Sequence, residues 1–101
     1  MPSYEHVFIC RQDLTSTQAE SIADEFKKTL VDNGGKVIDT EYWGLKSIAY
    51  RMNKNRKGHY FLMRSESDGP AISEMERLMN INEDIMRFLT VKVKTHQEGA
   101  S

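Results

Sequence analysis

Residues 41–61, EYWGLKSIAYRMNKNRKGHYF, contain the centre of a predicted β-hairpin. Strand-forming Val, Ile, Tyr and Trp residues are frequent from residue 36 to about residue 52. This segment is too long for one undisturbed strand, so Gly44 predicts a bulge or bend. The segment NKNRKG at 53–58 reads as a polar turn, and another strand is predicted over 59–66. A hairpin therefore lies at the middle of the chain.

The segment before this hairpin contains a strand followed by a helix. Residues 4–11 carry apolar side chains on both faces of the predicted strand, which is typical of a central strand. Thr15 and Gln18 have the spacing of a helix-capping box, and the apolar residues that follow recur with a period of about 3.6 residues. Gly34-Gly35 then ends the helix.

The segment after the hairpin contains a second helix followed by a last strand. Asp68 and Pro70 suit the cap and the first turn of a helix, and an apolar stripe runs from Ile72 to Met79. Apolar and polar residues alternate over 85–94, which predicts the last strand.

The resulting order, β-α-β-β-α-β, predicts an α+β protein of the ferredoxin-like class. Two helices then cover one face of a four-stranded antiparallel sheet with strand order 4-1-3-2. This order places the end of strand one, the central turn and the start of strand four at one end of the sheet. Arg11, the basic turn and Arg87 are therefore expected to lie close together. One domain is predicted over 1–96, with a short flexible C-terminal tail at 97–101.

Charge is distributed unevenly along the chain, although its total is close to neutral. The 101 residues include 14 basic and 15 acidic side chains. Residues 42–65 contain six of the basic residues and no acidic residue, so the rest of the chain holds 8 basic against 15 acidic residues. Two interpretations are open: a solvated hairpin whose charge supports solubility, or a surface that binds nucleic-acid phosphates.

Residues with catalytic or metal-binding chemistry do not occur at informative spacings. His6, His59 and His96 lack the spacing of metal ligands, and Cys10, the single cysteine, lies inside an apolar strand. The sequence contains no glycine-rich phosphate loop and no nucleophile motif. It therefore predicts no enzyme activity, no cofactor and no metal site. No apolar run is long enough for a signal peptide or a membrane span, so a cytoplasmic protein is expected.

Residues 56–64, RKGHYFLMR, offer an alternative function. Lys57-Gly58 before an aromatic strand resembles the long signature of RNA-recognition-motif domains, in which strand aromatics stack on single-stranded RNA. Three positions differ from that signature. His59 and Arg64 each stand where the signature has an aromatic residue, and Tyr60 stands where it has a small one. A binder of single-stranded RNA remains the alternative function.

A more extensive resemblance covers about nine-tenths of the chain. The segments GLK (44–46) and AY (49–50) match a Gly-Leu-basic-x-Leu-Ala-Tyr-x-Ile run that precedes a basic turn and an aromatic strand. The segments YEHVF, NGGKV and INEDIMRF match in the same order along the chain. The chain resembles the bacterial-type small-subunit ribosomal protein six family. The resemblance implies a ferredoxin-like fold, no catalysis, and binding to the central domain of small-subunit ribosomal RNA together with small-subunit ribosomal protein eighteen.

Binding to structured RNA depends mainly on cations at the spacing of phosphates, because proteins recognise A-form grooves mostly by shape. The predicted RNA-binding residues are Arg51, Lys54, Asn55, Arg56, Lys57, His59, Arg87 and Lys92. Of these, Lys92 is expected toward the opposite end of strand four. The predicted partner-binding residues are Tyr4, Phe8, Trp43 and Tyr50. For Tyr4, Phe8 and Trp43, burial in the core is the alternative to a partner contact. For Tyr50, packing inside the protein and contact with RNA are both open.

Overall fold

The fold is a four-stranded antiparallel sheet with two helices on one face. The computed structural model describes residues 2–49 and 55–93, with the side chains of all of these except 48, 49, 55 and 56. The elements are β1 (Ser3–Arg11), α1 (Ser16–Asp32), β2 (Lys36–Ala49), β3 (Asn55–Glu66), α2 (Gly69–Ile81) and β4 (Ile85–Val93). The strand order is β2-β3-β1-β4, which is the predicted order 4-1-3-2 counted from the other edge. The ferredoxin-like prediction is confirmed, and the predicted tail at 97–101 lies outside the described residues.

Helix α1 begins and ends as its sequence predicts. The Thr15 hydroxyl accepts a hydrogen bond from the Gln18 backbone N–H at 3.1 Å, and the Gln18 side chain accepts one from the Thr15 N–H at 2.9 Å. Gly34 has φ of 89°, a left-handed conformation that favours glycine. At Gly35 a Cβ atom would lie 2.8 Å from the Ser67 Cβ. The chain can pass this close to Ser67 only because glycine has no side chain.

Helix α2 also begins where predicted, but its cap differs in detail. Asp68 occupies the N-cap position with extended backbone, and its side chain makes no capping hydrogen bond within the described part of the chain. Pro70 lies in the first turn, where its missing N–H costs no helical hydrogen bond. The apolar stripe is buried as expected and consists of Ala71, Ile72, Met75 and Met79.

The central hairpin is longer than the sequence predicts. Residues 55–58 were expected in a turn, but β3 already begins at Asn55, which pairs with Ala49 of β2. That part of the prediction is wrong, because a polar composition does not prevent strand pairing when the side chains can remain in water. The predicted bend is confirmed: the β2–β3 register shifts between Tyr42 and Gly44, and Gly44 has φ of 92°.

The hydrophobic core lies between the sheet and the two helices. Its centre is an aromatic cluster in which Phe8 stacks on Phe61 at a centroid distance of 5.2 Å and meets Phe26 edge-to-face at 5.8 Å. Phe61 and Met63 both belong to this core. Alternate side chains of β3 therefore face the helices.

Cys10 is expected to react very slowly with thiol reagents in the folded protein. Its side chain is fully buried, and this burial raises the pKa of the thiol to about 12, with a further contribution from the charge of Asp84. Because the thiolate is the reactive form, we expect labelling by a disulfide reagent at least about 100-fold slower than for a free cysteine peptide. Labelling in buffer and in concentrated guanidinium chloride measures this ratio. Equal rates in the two solvents would contradict the prediction.

Candidate RNA and partner interface

The end of the sheet that carries the hairpin gathers three segments that are far apart in the sequence. Gly58 of β3 pairs with Arg11, the last residue of β1, and Arg87 near the start of β4 pairs with Ile9. The hairpin continues past this row, where Ser47 pairs with Lys57. The predicted grouping at one end of the sheet is confirmed for Arg11, Arg87 and the described end of the basic turn, Lys57-Gly58.

The cations at this end differ in how far their charge is already compensated. Arg11 forms an ion pair with Asp13 at 2.8 Å and lies 3.7 Å from Asp84, so two carboxylates balance its charge. Lys57 and Arg87 are exposed, and neither has a carboxylate within ion-pairing distance among the described residues. These two predicted residues therefore keep their charge available to a ligand.

Lys46 is a further exposed cation that the predicted RNA-binding set omits. It pairs with Gly58, one row from the Ser47–Lys57 pair. Side chains alternate between the two faces of a strand, so Lys46 and Lys57 project from opposite faces of the hairpin. The acid-free segment at 42–65 includes Lys46, but only the strand register shows that it lies beside Lys57.

Several predicted residues lie outside the described parts of the chain. This group contains Tyr50, Arg51 and Lys54, together with the side chains of Asn55 and Arg56. Their roles stay predictions. Lys92 is described and exposed, but it pairs with Tyr4 near the start of β1, at the end of the sheet opposite the hairpin. Its distant position was expected, and its role in RNA binding stays a prediction.

His59 was predicted to donate a hydrogen bond to RNA, and the structure contradicts this role. The residue is 5% exposed, and both ring nitrogens already have partners within the protein. Nδ1 lies 2.8 Å from the Tyr42 hydroxyl, and Nε2 lies 2.7 Å from the Leu14 carbonyl oxygen. A side chain that is buried and fully hydrogen-bonded has no free group for a phosphate.

Phe8 was predicted to contact a partner protein, and this prediction is also wrong. Its side chain is 0% exposed because it lies at the centre of the aromatic cluster of the core. Tyr4, another predicted partner residue, is half-buried and packs against the same core, with its ring 6.1 Å from the His6 ring. Both side chains lie on the sheet face that the helices cover, so β1 offers a partner little of its aromatic surface.

Trp43 has the exposure that a partner contact requires. Its side chain is 42% exposed at the bulge of β2, and its indole N–H donates a hydrogen bond to Glu41 at 2.8 Å. This hydrogen bond, together with one from Arg64, lowers the pKa of the Glu41 carboxyl, so Glu41 stays ionised. An aromatic ring with a fixed polar edge on an exposed strand suits protein recognition.

Arg64 links this tryptophan to a group of carboxylates on the open sheet face. Its guanidinium lies 3.0 Å from Asp39, 3.1 Å from Glu41 and 3.5 Å from Glu5. The sequence placed Arg64 in the basic segment, but three acidic neighbours compensate its charge. We name this surface, made of Glu5, Asp39, Glu41, Trp43 and Arg64, the acidic patch.

Two exposed apolar residues on β4 were not among the candidates. Leu89 is 61% exposed and Val91 is 49% exposed. Leu89 pairs with Val7 on the open face, whereas its neighbour Phe88 pairs with Phe8 and packs against the core. Alternation in the sequence indicated a strand with two different faces, but it did not show which face the helices cover.

No group of three or more metal-ligating side chains occurs in the described ranges 2–49 and 55–93. Within the same ranges, no helix has the length and apolar character that a membrane crossing requires.

Comparison with known proteins identifies the family. The family model described as ribosomal protein S6 matches residues 3–92. The small ribosomal subunit protein bS6 of Dinoroseobacter shibae is 58% identical over 101 residues, which cover all of this chain and 86% of that protein. The bS6 protein of Cereibacter sphaeroides is 57% identical over 101 residues and is covered to 76%. The chain belongs to the ribosomal protein S6 family.

A solved structure of the S6 family supports the fold independently. The crystal structure of 30S ribosomal protein S6 from Thermotoga maritima superposes with a TM-score of 0.84 and 24% sequence identity, covering 95% of this chain and 91% of that one. Membership in the S6 family makes the chain a structural protein of the small ribosomal subunit and not an enzyme, as the sequence predicted. It also confirms the predicted cytoplasmic, ribosome-associated location.

Proposed function

We propose that this S6-family protein binds the central domain of small-subunit ribosomal RNA jointly with small-subunit ribosomal protein eighteen, and that the β2–β3 hairpin provides the main phosphate contacts. The observation that carries the proposal is the position of Lys46 and Lys57. Both are exposed: Lys46 lies in the last row of the hairpin that β1 still flanks, and Lys57 lies in the first row beyond it. Among the described residues, no carboxylate lies within ion-pairing distance of either. Arg51, Lys54 and Arg56 belong to the same acid-free segment of the sequence.

The geometry of the hairpin favours contacts with phosphates over contacts with bases. Lys46 and Lys57 project from opposite faces of a narrow two-stranded ribbon. A ribbon with cations on both faces can enter a groove or junction of folded RNA and meet phosphates on both sides. Each phosphate that it neutralises releases counterions, so the affinity should depend strongly on salt concentration.

The acidic patch fits the proposed partner protein. It contains three carboxylates against one guanidinium, and it surrounds the exposed indole of Trp43. A basic protein would find opposite charge and an aromatic contact on the same surface. Tyr50 keeps its predicted partner role within this proposal. Tyr4 lies on the sheet face that the helices cover, so its predicted partner role would need a contact outside the acidic patch.

The alternative function, stacking of single-stranded RNA on the sheet, has little support in the geometry. Such domains use aromatic side chains of the two central strands on the open face. Here Phe8 and Phe61 lie under the helices, and the apolar residues of β1 that point away from the helices are the aliphatic Val7 and Ile9, of which Ile9 is itself buried. Among the described residues of the two central strands, Tyr60 is the single aromatic side chain on that face.

The double variant Lys46→Ala/Lys57→Ala is expected to weaken joint binding to the RNA without unfolding the protein. Losing two phosphate contacts should lower the affinity about 10-fold and reduce the slope of log affinity against log salt by about 1.5. Binding of the central-domain RNA is measured across several salt concentrations, with and without protein eighteen. Both lysines are exposed, so circular dichroism and the melting temperature should stay close to wild type.

A matched control removes two cations from the outer surfaces of the helices. Lys28 on α1 and Arg77 on α2 are exposed, and the variant Lys28→Ala/Arg77→Ala changes the net charge by the same amount. Its affinity and salt slope should match those of the wild type. Equal losses of affinity in both double variants would assign the effect to overall charge and contradict a hairpin contact. Unchanged binding in the Lys46→Ala/Lys57→Ala variant would also contradict a hairpin contact.

A further inference from the structure

His59 connects the root of the hairpin to the loop that precedes α1. Its Nδ1 lies 2.8 Å from the Tyr42 hydroxyl on β2, and its Nε2 lies 2.7 Å from the Leu14 carbonyl oxygen, 45 positions earlier in the chain. The ring also stacks on the Tyr42 ring at a centroid distance of 5.9 Å. One side chain thus joins both strands of the hairpin to the body of the protein.

The chemistry of these contacts fixes their direction. A carbonyl oxygen can only accept a hydrogen bond, so Nε2 carries a proton and donates it to Leu14. In the neutral ring, Nδ1 then accepts the hydrogen bond that the Tyr42 hydroxyl donates. Tyr42 is itself held against the core, because its ring lies 5.0 Å from the Phe61 ring.

His59 occupies the position where the hairpin loses its support from the rest of the sheet. Cys10 and Arg11, the last two residues of β1, pair with His59 and Gly58. Beyond that row, the described residues of β2 and β3 pair with each other. Gly58 has no side chain, so His59 carries the outermost side chain of β3 in the rows that β1 still flanks.

We propose that His59 is a positioning residue for RNA binding. Its two hydrogen bonds fix the direction in which the hairpin leaves the sheet, and so they place Lys46 and Lys57 for the phosphates. The part of this inference that concerns RNA rests on the proposed function. The part that concerns the hairpin can be measured without RNA.

Amide hydrogen exchange of the free protein tests the positioning directly. In His59→Ala, the amides of residues 45–47, 57 and 58 should exchange at least about 10-fold faster, relative to those of Val7 and Leu89 in the middle of β1 and β4. His59→Gln should restore most of the protection, because its amide group can still donate to Leu14. Tyr42→Phe removes a single hydroxyl and should give an increase in exchange rate between those of wild type and His59→Ala. This variant keeps the test possible if His59→Ala does not fold.

RNA binding then separates positioning from direct contact. With protein eighteen present, His59→Ala should bind the central-domain RNA about 10-fold more weakly at an unchanged salt slope, because no phosphate-neutralising cation is lost. His59→Gln should recover the affinity. The Lys46→Ala/Lys57→Ala variant should show the opposite combination, a reduced salt slope with wild-type hairpin exchange.

Two results would overturn the role of His59. One is an amide exchange rate in the hairpin of His59→Ala that equals the wild-type rate. The other is an exchange rate that increases as much at Val7 and Leu89 as in the hairpin, which would indicate a general loss of stability. If the wild-type protein fails to bind the RNA with or without protein eighteen, the proposed function is overturned. In that case the exchange rates alone decide whether His59 positions the hairpin.

Discussion

Phe8→Ala is expected to lower the free energy of unfolding by about 4 kcal/mol, the largest effect of any substitution considered for this chain. The side chain is 0% exposed, stacks on Phe61 and meets Phe26 edge-to-face, so its removal leaves a cavity between the sheet and α1. The loss includes the transfer free energy of the ring and the contacts of the cavity walls. Equilibrium unfolding in urea, monitored by circular dichroism, measures it.

Leu89→Ala is the matched control for this measurement. Leu89 also lies on a strand, but it is 61% exposed on the open face, so its loss should cost less than about 1 kcal/mol. Phe8→Leu keeps most of the buried volume and should leave binding to protein eighteen unchanged. Two results would support Phe8 as a contact residue after all. One is a loss of unfolding free energy in Phe8→Ala as small as that in Leu89→Ala. The other is weaker binding of Phe8→Leu to protein eighteen although its stability equals that of the wild type.

Lowering the pH from 7 to 4 is expected to remove about 3 kcal/mol of stability through His6 alone. His6 is fully buried, with Nε2 2.7 Å from the Ser65 hydroxyl and Nδ1 3.0 Å from the Thr90 hydroxyl. Burial lowers the pKa of His6 from 6.5 to about 4, because the charged ring loses its hydration in the core. The unfolded chain therefore takes up a proton at a higher pH than the folded one.

The sign of this effect follows from the two pKa values. Well above pH 6.5 the ring is neutral in both the folded and the unfolded state, and stability does not depend on it. As the pH falls from 6.5 toward 4, protonation of the unfolded chain lowers stability, and the loss levels off once the folded ring is protonated as well. Urea unfolding at several pH values measures this loss.

His6→Gln is the reference for the pH experiment. Glutamine keeps a donor and an acceptor near Ser65 and Thr90 but does not titrate. The other two histidines and all carboxylates are present in both proteins, so their contributions cancel in the difference. The His6→Gln protein should lose about 3 kcal/mol less than the wild type between pH 7 and 4. Equal losses would show that His6 is not the group responsible.

Most of the architecture could be predicted from the sequence because local signals determined it. The capping box at Thr15 and Gln18 and the bulge at Gly44 lie where their residue types indicate. The element order then allowed few topologies, since the two βαβ units must return to one sheet with both helices on the same side. The gathering of Arg11, the hairpin and Arg87 followed from that topology.

The candidate site could be predicted only in part, because exposure and charge compensation depend on distant residues. Phe8 and Trp43 are both aromatic residues on strands, yet one is buried under α1 and the other is exposed at a bulge. Arg64 belongs to the basic segment by sequence, but its nearest carboxylates lie on β1 and β2. His59 lies next to the predicted basic turn, but the contact that removes it from the surface is with Leu14.

The sequence by itself determined the ferredoxin-like topology, the S6 family and the basic segment. These depend on residue types at short spacing, which a single chain displays directly. Only the tertiary structure decided which face of the sheet is covered, which cations are neutralised and which polar groups are satisfied inside the protein. Those properties arise from pairs such as Arg64 with Glu5 and His59 with Leu14, which meet only when folding brings distant segments together.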